Sequence, residues 1–478
     1  MGANSPRSRF QFRRFFAIAV AAAVLFCLSA GAMAQEESRL PEVVLRPTDR
    51  ILILAPHPDD EVLGCGGIIQ HALAMGVPVR VIFLTYGDNN EPSFFLYEKH
   101  LVVMPKAVRK MGEMRREEAL TAANILGLPP EDLTFLGYPD WGTLLIWYRN
   151  WDRQPPRRSM LTRVTAVPYA DAFRPGALYK GEEILKDLET LFRDFKPTKI
   201  FVAHPADTHP DHQSCYLFTR VALWDLESEI HPELYPYLVH YRKWPIPIPA
   251  PESNILRPPE ALSSIRWENC LLSPSEVEKK EAALKAHKSQ YMSGPRSMGS
   301  FVRLNELFGD FPMIPLFSKL SADPLSQAAD EPVSEPPEGL TEEERSPFIG
   351  LEWRQVALRG ENLSVSMLFS SPKARRAPVS LYLFGYRKDT PFGRMPKLRI
   401  RIGTWRYEIF NQSQRLPRRS IRVERNASRV TVRISLELLG NPDRIFVSGQ
   451  TYPVTLSKRI AWRVLERVQS SMEESKKQ

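Results

Sequence analysis

The stretch Ile51-Leu52-Ile53-Leu54-Ala55-Pro56-His57-Pro58-Asp59-Asp60-Glu61 decides how the rest of the chain is read. The apolar run 51–54 predicts a short strand buried on both faces, as in a parallel sheet covered by helices. It stops at Pro56, and one imidazole with three carboxylates follows within five positions. Open α/β sheets bind ligands at the carboxyl ends of their strands, so such a fold would place its chemistry here. Acids also favour helix starts, and Asp59, Asp60 and Glu61 read alternatively as a capped first turn. One or two acids suit that alternative; a proline-stiffened His-Pro-Asp-Asp-Glu exceeds it.

A second cluster repeats the design. Lys199–Ala203 reads as a strand, and His204-Pro205-Ala206-Asp207-Thr208-His209-Pro210-Asp211-His212 follows at once. Histidine is the commonest ligand of a catalytic divalent metal and carboxylates complete such sites, about three protein ligands leaving one position open. A single His-x-x-Asp is common by chance; two clusters on adjacent strands supply a full set. His204 reads as a structural strand-end histidine.

The segments between are predicted to alternate. Helices are expected at 68–76, 106–126, 182–195, 211–225 and 274–290, and strands at 79–84, 134–136 and 237–241. The helix 106–126 has its apolar face on Ala119, Ala122, Ala123 and Leu126 and is ended by Gly127. This order predicts an α/β fold, a Rossmann-like, mostly parallel sheet with helices on both faces. Loops 89–104 and 143–180 would shape a substrate pocket. The second carries Trp147, Trp151, Tyr169 and Phe173, and tryptophans there and at 141 serve either packing or sugar stacking.

His57-Pro58-Asp59-Asp60-Glu61 and His209-Pro210-Asp211-His212 resemble the two signatures of the PIG-L/LmbE-like N-acetylglucosaminyl deacetylases. The resemblance extends through Gly66-Gly67, Thr85-x-Gly87, Arg115-x-x-Glu118-x-x-x-Ala122-x-x-x-Leu126-Gly127, Gly137-Tyr138-Pro139-Asp140 and Ala286-His287-x-Ser289-Gln290, and covers about residues 48–300. It implies a zinc-dependent hydrolase removing the N-acetyl group of an N-acetylated amino sugar or glycoconjugate, although iron suits such ligands too. His57, Asp60 and His212 would be the metal ligands and Asp59 the general base. His209 would steady the oxyanion as a cation and protonate the leaving amine. Arg115 and Asp140 would lie on the substrate, while Asp211 would orient a histidine and Glu61 would support the helix start or a ligand. His287 reads more readily as a packed histidine. Two other readings stay open: a metal-dependent amidase on another amide or thiol conjugate, and a glycan-binding envelope protein without deacetylase activity.

The remaining organisation follows from composition. At 478 residues the chain suits two domains, and 43% hydrophobic with 25% charged residues describe a globular protein. Residues 1–34 read as a signal peptide. Arg7, Arg9, Arg13 and Arg14 precede the apolar run 17–30, and Ala32-Met33-Ala34 fits cleavage before Gln35, an uncleaved anchor being the alternative. Arg13-Arg14-Phe15-Phe16 resembles a twin-arginine signal, with Phe12 at the usual Ser or Thr. The expected location is periplasmic or secreted, with no transmembrane segment after cleavage.

A deacetylase domain is expected over 35–317, a Pro/Glu-rich linker over 318–350, and an antiparallel β-sandwich-like domain over 351–478. Cys65, Cys215 and Cys270 remain after the signal, an odd number with no disulfide framework. The net charge of +9 is uneven: residues 346–478 hold 26 Lys and Arg against 10 Asp and Glu. That surplus, with Trp353, Tyr382, Tyr386, Trp405 and Tyr407, suits an anionic envelope glycan, whereas nucleic acid is no expected partner of an exported protein. An accessory domain that only caps the enzyme is the alternative.

Overall fold

The structure, a computed structural model, describes residues 40–89, 104–241, 244–245, 254–317, 351–369, 377–426, 428–451 and 461–468. The expected signal peptide, nearly all of loop 89–104 and the expected linker lie outside these residues.

The alternation read from the sequence builds a single mixed sheet. Strands β1 (Ile51–Ala55), β2 (Val79–Thr85), β3 (Leu133–Tyr138), β4 (Lys199–Ala203) and β5 (Glu233–Tyr237) are parallel, in the order β3-β2-β1-β4-β5. Strands β6 (Trp267–Leu271) and β7 (Asn305–Gly309) extend it antiparallel beyond β5. These two were not expected from the sequence, because both are short and interrupted by Glu268, Asn269, Asn305 and Glu306. The order reverses between β1 and β4, the switch point at which open α/β sheets hold their ligands. Every residue of β1 and of β4 is buried, as continuous apolar runs require.

Helices form two layers. Helices α1 (Asp60–Ala74), α2 (Pro105–Leu126) and, later in the chain, 274–286 pack together. Helices α3 (Thr143–Arg149), α4 (Gly181–Phe195) and α5 (Pro210–Asp225) form the other group, and the 274–286 helix is α6 (Pro274–Ala286). The 274–290 expectation is broken at His287, which separates α6 from a short turn of helix at Lys288–Tyr291. Helix α1 starts at Asp60, eight residues before the start expected from its apolar period. Its Gly64-Cys65-Gly66-Gly67 segment is helical because the glycines allow close approach. A Cβ on Gly64 would lie 2.4 Å from Tyr237, and one on Gly67 would lie 2.7 Å from Leu272. Burial against neighbours overrides the low helix propensity of glycine.

The C-terminal strands form a two-sheet sandwich. One sheet orders β15 (Ile421–Arg425), β16 (Arg429–Ser435), β10 (Asn362–Phe369) and β9 (Leu351–Arg359). The other orders β14 (Gln414–Leu416), β13 (Tyr407–Asn411), β12 (Lys397–Ile402), β11 (Val379–Tyr386), β17 (Arg444–Thr451), β18 (Arg463–Val468) and β8 (Ile314–Phe317). Alternate residues such as Leu363, Val365, Leu381, Leu383, Val430 and Val432 fill the space between them. Strand β8 pairs in parallel with β18, Ile314 opposite Leu465, so the end of the α/β part is itself a strand of the sandwich.

Residues from Val44 onward form one compact unit. The tryptophans of the expected substrate-shaping insertion explain part of that. Trp147 on α3 and Trp151 just after it are fully buried. The Trp147 ring lies 5.2 Å from that of Phe392, 5.0 Å from Phe446 and 5.9 Å from Trp462, all of the sandwich. Lys397 is buried beside them, with its Nζ 4.6 Å from the Trp151 ring and donating to the Phe392 and Met395 carbonyls. Trp147→Ala should therefore cost about 3–5 kcal/mol of stability, by the usual cost of emptying a buried aromatic site. Chemical denaturation measures this, and a loss below about 1 kcal/mol would mean that the aromatic layer is not a shared core.

Candidate active site

Both sequence clusters arrive at the switch point, one after β1 and one after β4. Asp59 occupies the N-cap position of α1 but makes no side-chain cap hydrogen bond. The capping alternative therefore fails for the residue best placed to satisfy it. Its backbone sits at φ 134°, in the region that L-residues rarely adopt, a strain of about 1–3 kcal/mol that neighbouring contacts must hold. Those contacts are present. Glu61 Oε2 accepts the Asp59 N–H at 2.9 Å, and Glu61 Oε1 lies 3.0 Å from His287 Nε2. Arg115, on α2, donates to the Pro58 carbonyl at 2.7 Å and to Asp59 Oδ2 at 3.1 Å.

Asp60 joins the clusters. Its Oδ2 lies 3.2 Å from His57 Nδ1 and 3.1 Å from His212 Nε2. The opposite nitrogen of each histidine meets another carboxylate: His57 Nε2 is 3.3 Å from Asp211 Oδ2, and His212 Nδ1 is 3.0 Å from Asp207 Oδ2. Asp211 is itself held by the Trp141 N–H at 2.6 Å and the Thr143 N–H at 3.1 Å. Asp207 accepts from the N–H groups of His209, Val239 and His240. Carboxylate-backed imidazoles are how proteins set the tautomer and aim of metal-binding histidines.

This donor set fits a metal. Donors bonded to one tetrahedral ion at about 2.0–2.1 Å stand about 3.3 Å apart, close to the separations at Asp60. Asp60 Oδ1 is buried without a hydrogen-bond partner, and His212 Nε2 faces Asp60 Oδ2 without hydrogen-bond alignment. Polar atoms so placed cost about 1–3 kcal/mol each unless something satisfies them. Burial opposes the charge on Asp60, yet His212 and His57 hold its carboxyl well below the usual range, so it is ionised as a ligand must be. Three groups have donor atoms all within 4.8 Å of one another: His57 with His209 and His212, Asp60 with His212 and His240, and His57 with Asp140, His209 and Asp211; His212 joins the Asp60 group to the His57 group.

His209 caps α5, its Nδ1 accepting the Asp211 N–H at 3.2 Å. Burial and the neighbouring His57, His212 and His240 push it well below the ordinary histidine value. These surroundings oppose the expected cation at His209, and with Nδ1 accepting, the proton of the uncharged ring sits on Nε2. A neutral imidazole of depressed basicity donates a hydrogen bond well but is a poor proton source. Burial pushes Asp59 up to about 6, with Arg115 pulling the other way.

Arg115, expected on the substrate, is turned toward the chain. It is 3% exposed, and its guanidinium is directed to the carbonyls of Gly87 and Pro58 and to Asp59. Asp140, expected beside the sugar, lies 3.2 Å from His57 Nε2 and accepts the Asn89 N–H at 2.9 Å. His287 is fully buried on Glu61, and His204 is a structural histidine stacked on Trp267. Cys65, Cys215 and Cys270 are buried, and Cys270 Sγ lies 3.4 Å from His71 Nδ1. Sequence reasoning missed Asp207 and His240. Asp207 stood inside the quoted second cluster, and its spacing of five to His212 was the available signal; His240, after β5, carried none.

Comparison with known proteins agrees with the motifs. Residues 52–223 match the family described as PIG-L: GlcNAc-PI de-N-acetylase, so the family resemblance is borne out over that segment. A 1D-myo-inositol 2-acetamido-2-deoxy-alpha-D-glucopyranoside deacetylase 1 of Saccharopolyspora erythraea is 29% identical over 195 residues, covering 38% of this chain and 55% of that protein. A deacetylase of the same description from a Mycobacterium species is 27% identical over 188 residues, 39% of this chain and 53% of its own. The chain thus spans about half the length of these relatives. Among solved structures, N,N'-diacetylchitobiose deacetylase of Pyrococcus horikoshii aligns at 21% identity, over 51% of this chain and 70% of that one, with a TM-score of 0.30.

The buttress on His212 generates a prediction. Asp207→Asn should weaken metal binding about 10–100-fold, the usual effect of losing such a partner. Competition with a chromophoric chelator reads this directly, and an unchanged affinity would place the metal away from His212.

Proposed function

We propose that this protein hydrolyses the acetamide of an N-acetylglucosamine-type sugar or conjugate, releasing acetate and the free amine. One observation carries the reading: Asp60 Oδ2 faces His57 Nδ1 and His212 Nε2 together, beside a strained Asp59. A divalent metal held by His57, Asp60 and His212, zinc by the family resemblance, would polarise the amide carbonyl and acidify water. Asp59 takes a proton from the attacking water as its oxygen bonds to the carbonyl carbon, and a carboxylate near pKa 6 suits that role at neutral pH. His209 offers its Nε2–H to the oxygen that gains charge. When the C–N bond breaks, Asp59 returns the proton to the leaving amine.

Asp59→Asn should keep the metal and lose about 10²–10⁴-fold in turnover, the typical worth of a general base. Acetate release from N-acetylglucosamine conjugates, with and without a chelator, measures it alongside metal content. Turnover near that of the unaltered protein would exclude Asp59 as the base, and release of a larger acid in place of acetate would favour the general amidase.

We further propose export, supported by the pattern of residues 1–34, and an anionic envelope glycan as partner of the sandwich. Between Arg399 and Arg433 the sequence has ten arginines, two glutamates and no lysine. Exposed Arg418 donates to the Tyr407 carbonyl at 2.9 Å, one residue beyond Arg406 in the chain, and Trp405 is 87% exposed. Guanidinium forks match phosphate and carboxylate groups. Replacing Arg418 and Arg419 by Glu should abolish salt-sensitive retention on a phosphorylated or carboxylated glycan column, with acetate release from small substrates unchanged. Equal retention of both forms would remove this surface as the binding face.

A further inference from the structure

The turn between β3 and α3 puts an unusual side chain at an unusual backbone position. Gly142 N donates to the Pro139 carbonyl at 2.9 Å, closing a four-residue turn with Asp140 and Trp141 at its centre. Trp141 has φ 56°, in the left-handed region, where such a turn favours glycine or asparagine. The largest side chain therefore occupies a position that disfavours any Cβ. The turn is held from both central residues: Asp140 lies against His57, and the Trp141 N–H is bonded to Asp211. These anchors aim the two side chains differently, Asp140 inward and Trp141 outward.

Trp141 does not pack as its neighbours do. Trp147 and Trp151 are wholly buried, whereas Trp141 is 51% exposed. Its ring centroid lies 4.5 Å from that of His209, at an interplanar angle of 69°. An open indole surface thus borders the histidine assigned to the reacting oxygen. Burial of half the ring, against His209, offsets the backbone cost of this position only in part, and the other half is what the turn presents to a ligand.

We propose that Trp141 is the platform for the pyranose ring that bears the acetamido group. A gluco-configured ring is rimmed by hydroxyls and presents C–H groups on its faces, which pack on an indole while the indole N–H reaches a hydroxyl. An acyclic N-acetyl amine has no such face. The substrate class is accordingly an N-acetylated amino sugar whose ring face is unobstructed, and discrimination lies in binding, not in the bond-breaking step. This inference rests on the deacetylase reading and deepens it.

Trp141→Gly and Trp141→Phe test it, the glycine variant suiting the backbone conformation and so avoiding a folding defect. With N-acetylglucosamine and N,N'-diacetylchitobiose, Trp141→Gly should raise KM at least tenfold with kcat changed less than threefold, and Trp141→Phe should recover part of the loss. With N-acetylethanolamine the loss in kcat/KM should be at least fivefold smaller. Equal losses on sugar and acyclic substrates, or no loss on either, would overturn the platform. A protein that releases no acetate from any of the three sinks the deacetylase reading instead. The platform is then judged by fluorescence titration with N,N'-diacetylchitobiose: an emission change missing from Trp141→Phe supports it, and no such difference overturns it.

Discussion

A single carboxylate oxygen, Asp60 Oδ2, faces one histidine from each of two chain segments about 150 residues apart, His57 and His212. Buried like this, an imidazole or carboxylate is costly unless something compensates it. Here each imidazole is backed on its far side by a second carboxylate, Asp211 or Asp207. The arrangement requires β1 and β4 to be neighbours, because the two clusters leave those strands at the same edge. Mispairing either strand would bury histidines and acids apart. The fold and the site are therefore one constraint.

The scaffold around this point is arranged to hold a few strained residues still. Helix α1, which begins at Asp60, is gripped by a buried pair from two other elements. Lys280 donates to the Leu63 carbonyl at 3.0 Å, Glu306 accepts the Gly67 N–H at 2.7 Å, and the two side chains meet at 2.6 Å. This clamps the helix from α6 and β7, just beyond the ligand residue. Asp59 is held in turn by Arg115 and Glu61. On the opposite side, α3 starts at the Asp211 contact through Thr143 and ends in the aromatic layer shared with the sandwich. The C-terminal sheets thereby stand behind an element that touches the site.

Much of this was legible. The apolar runs 51–54 and 199–203 are short, continuous and followed by proline, so their burial and abrupt ends were readable from residue type. The antiparallel sandwich expected over 351–478 is present, with strands at Asn362–Phe369, Val379–Tyr386 and Arg429–Ser435 among its members. What escaped notice shares a cause. Strands β6 and β7 carry polar residues that are satisfied only by distant partners, as when Glu306 meets Lys280. Glycines 64, 66 and 67 argue locally against a helix, and only the closeness of Tyr237, Leu272 and Lys280 makes them necessary. Arg115 looked like a substrate ligand because its carbonyl partners, Gly87 and Pro58, have no side-chain signature.

By itself the sequence determined the chemical inventory and its location at two strand ends, since residue identity and spacing are local properties. It also determined the hydrophobic periods that select an α/β sheet followed by a sandwich. Tertiary structure alone decided which carboxylate backs which histidine, because that depends on side chains brought together from separate loops. It decided the lowered basicity of His209 as well, which follows from burial among three other imidazoles. It also separated the tryptophans: 147 and 151 enclosed by the sandwich, 141 left open beside the site. Exposure is a property of the assembled surface, and no run of neighbours in the chain encodes it.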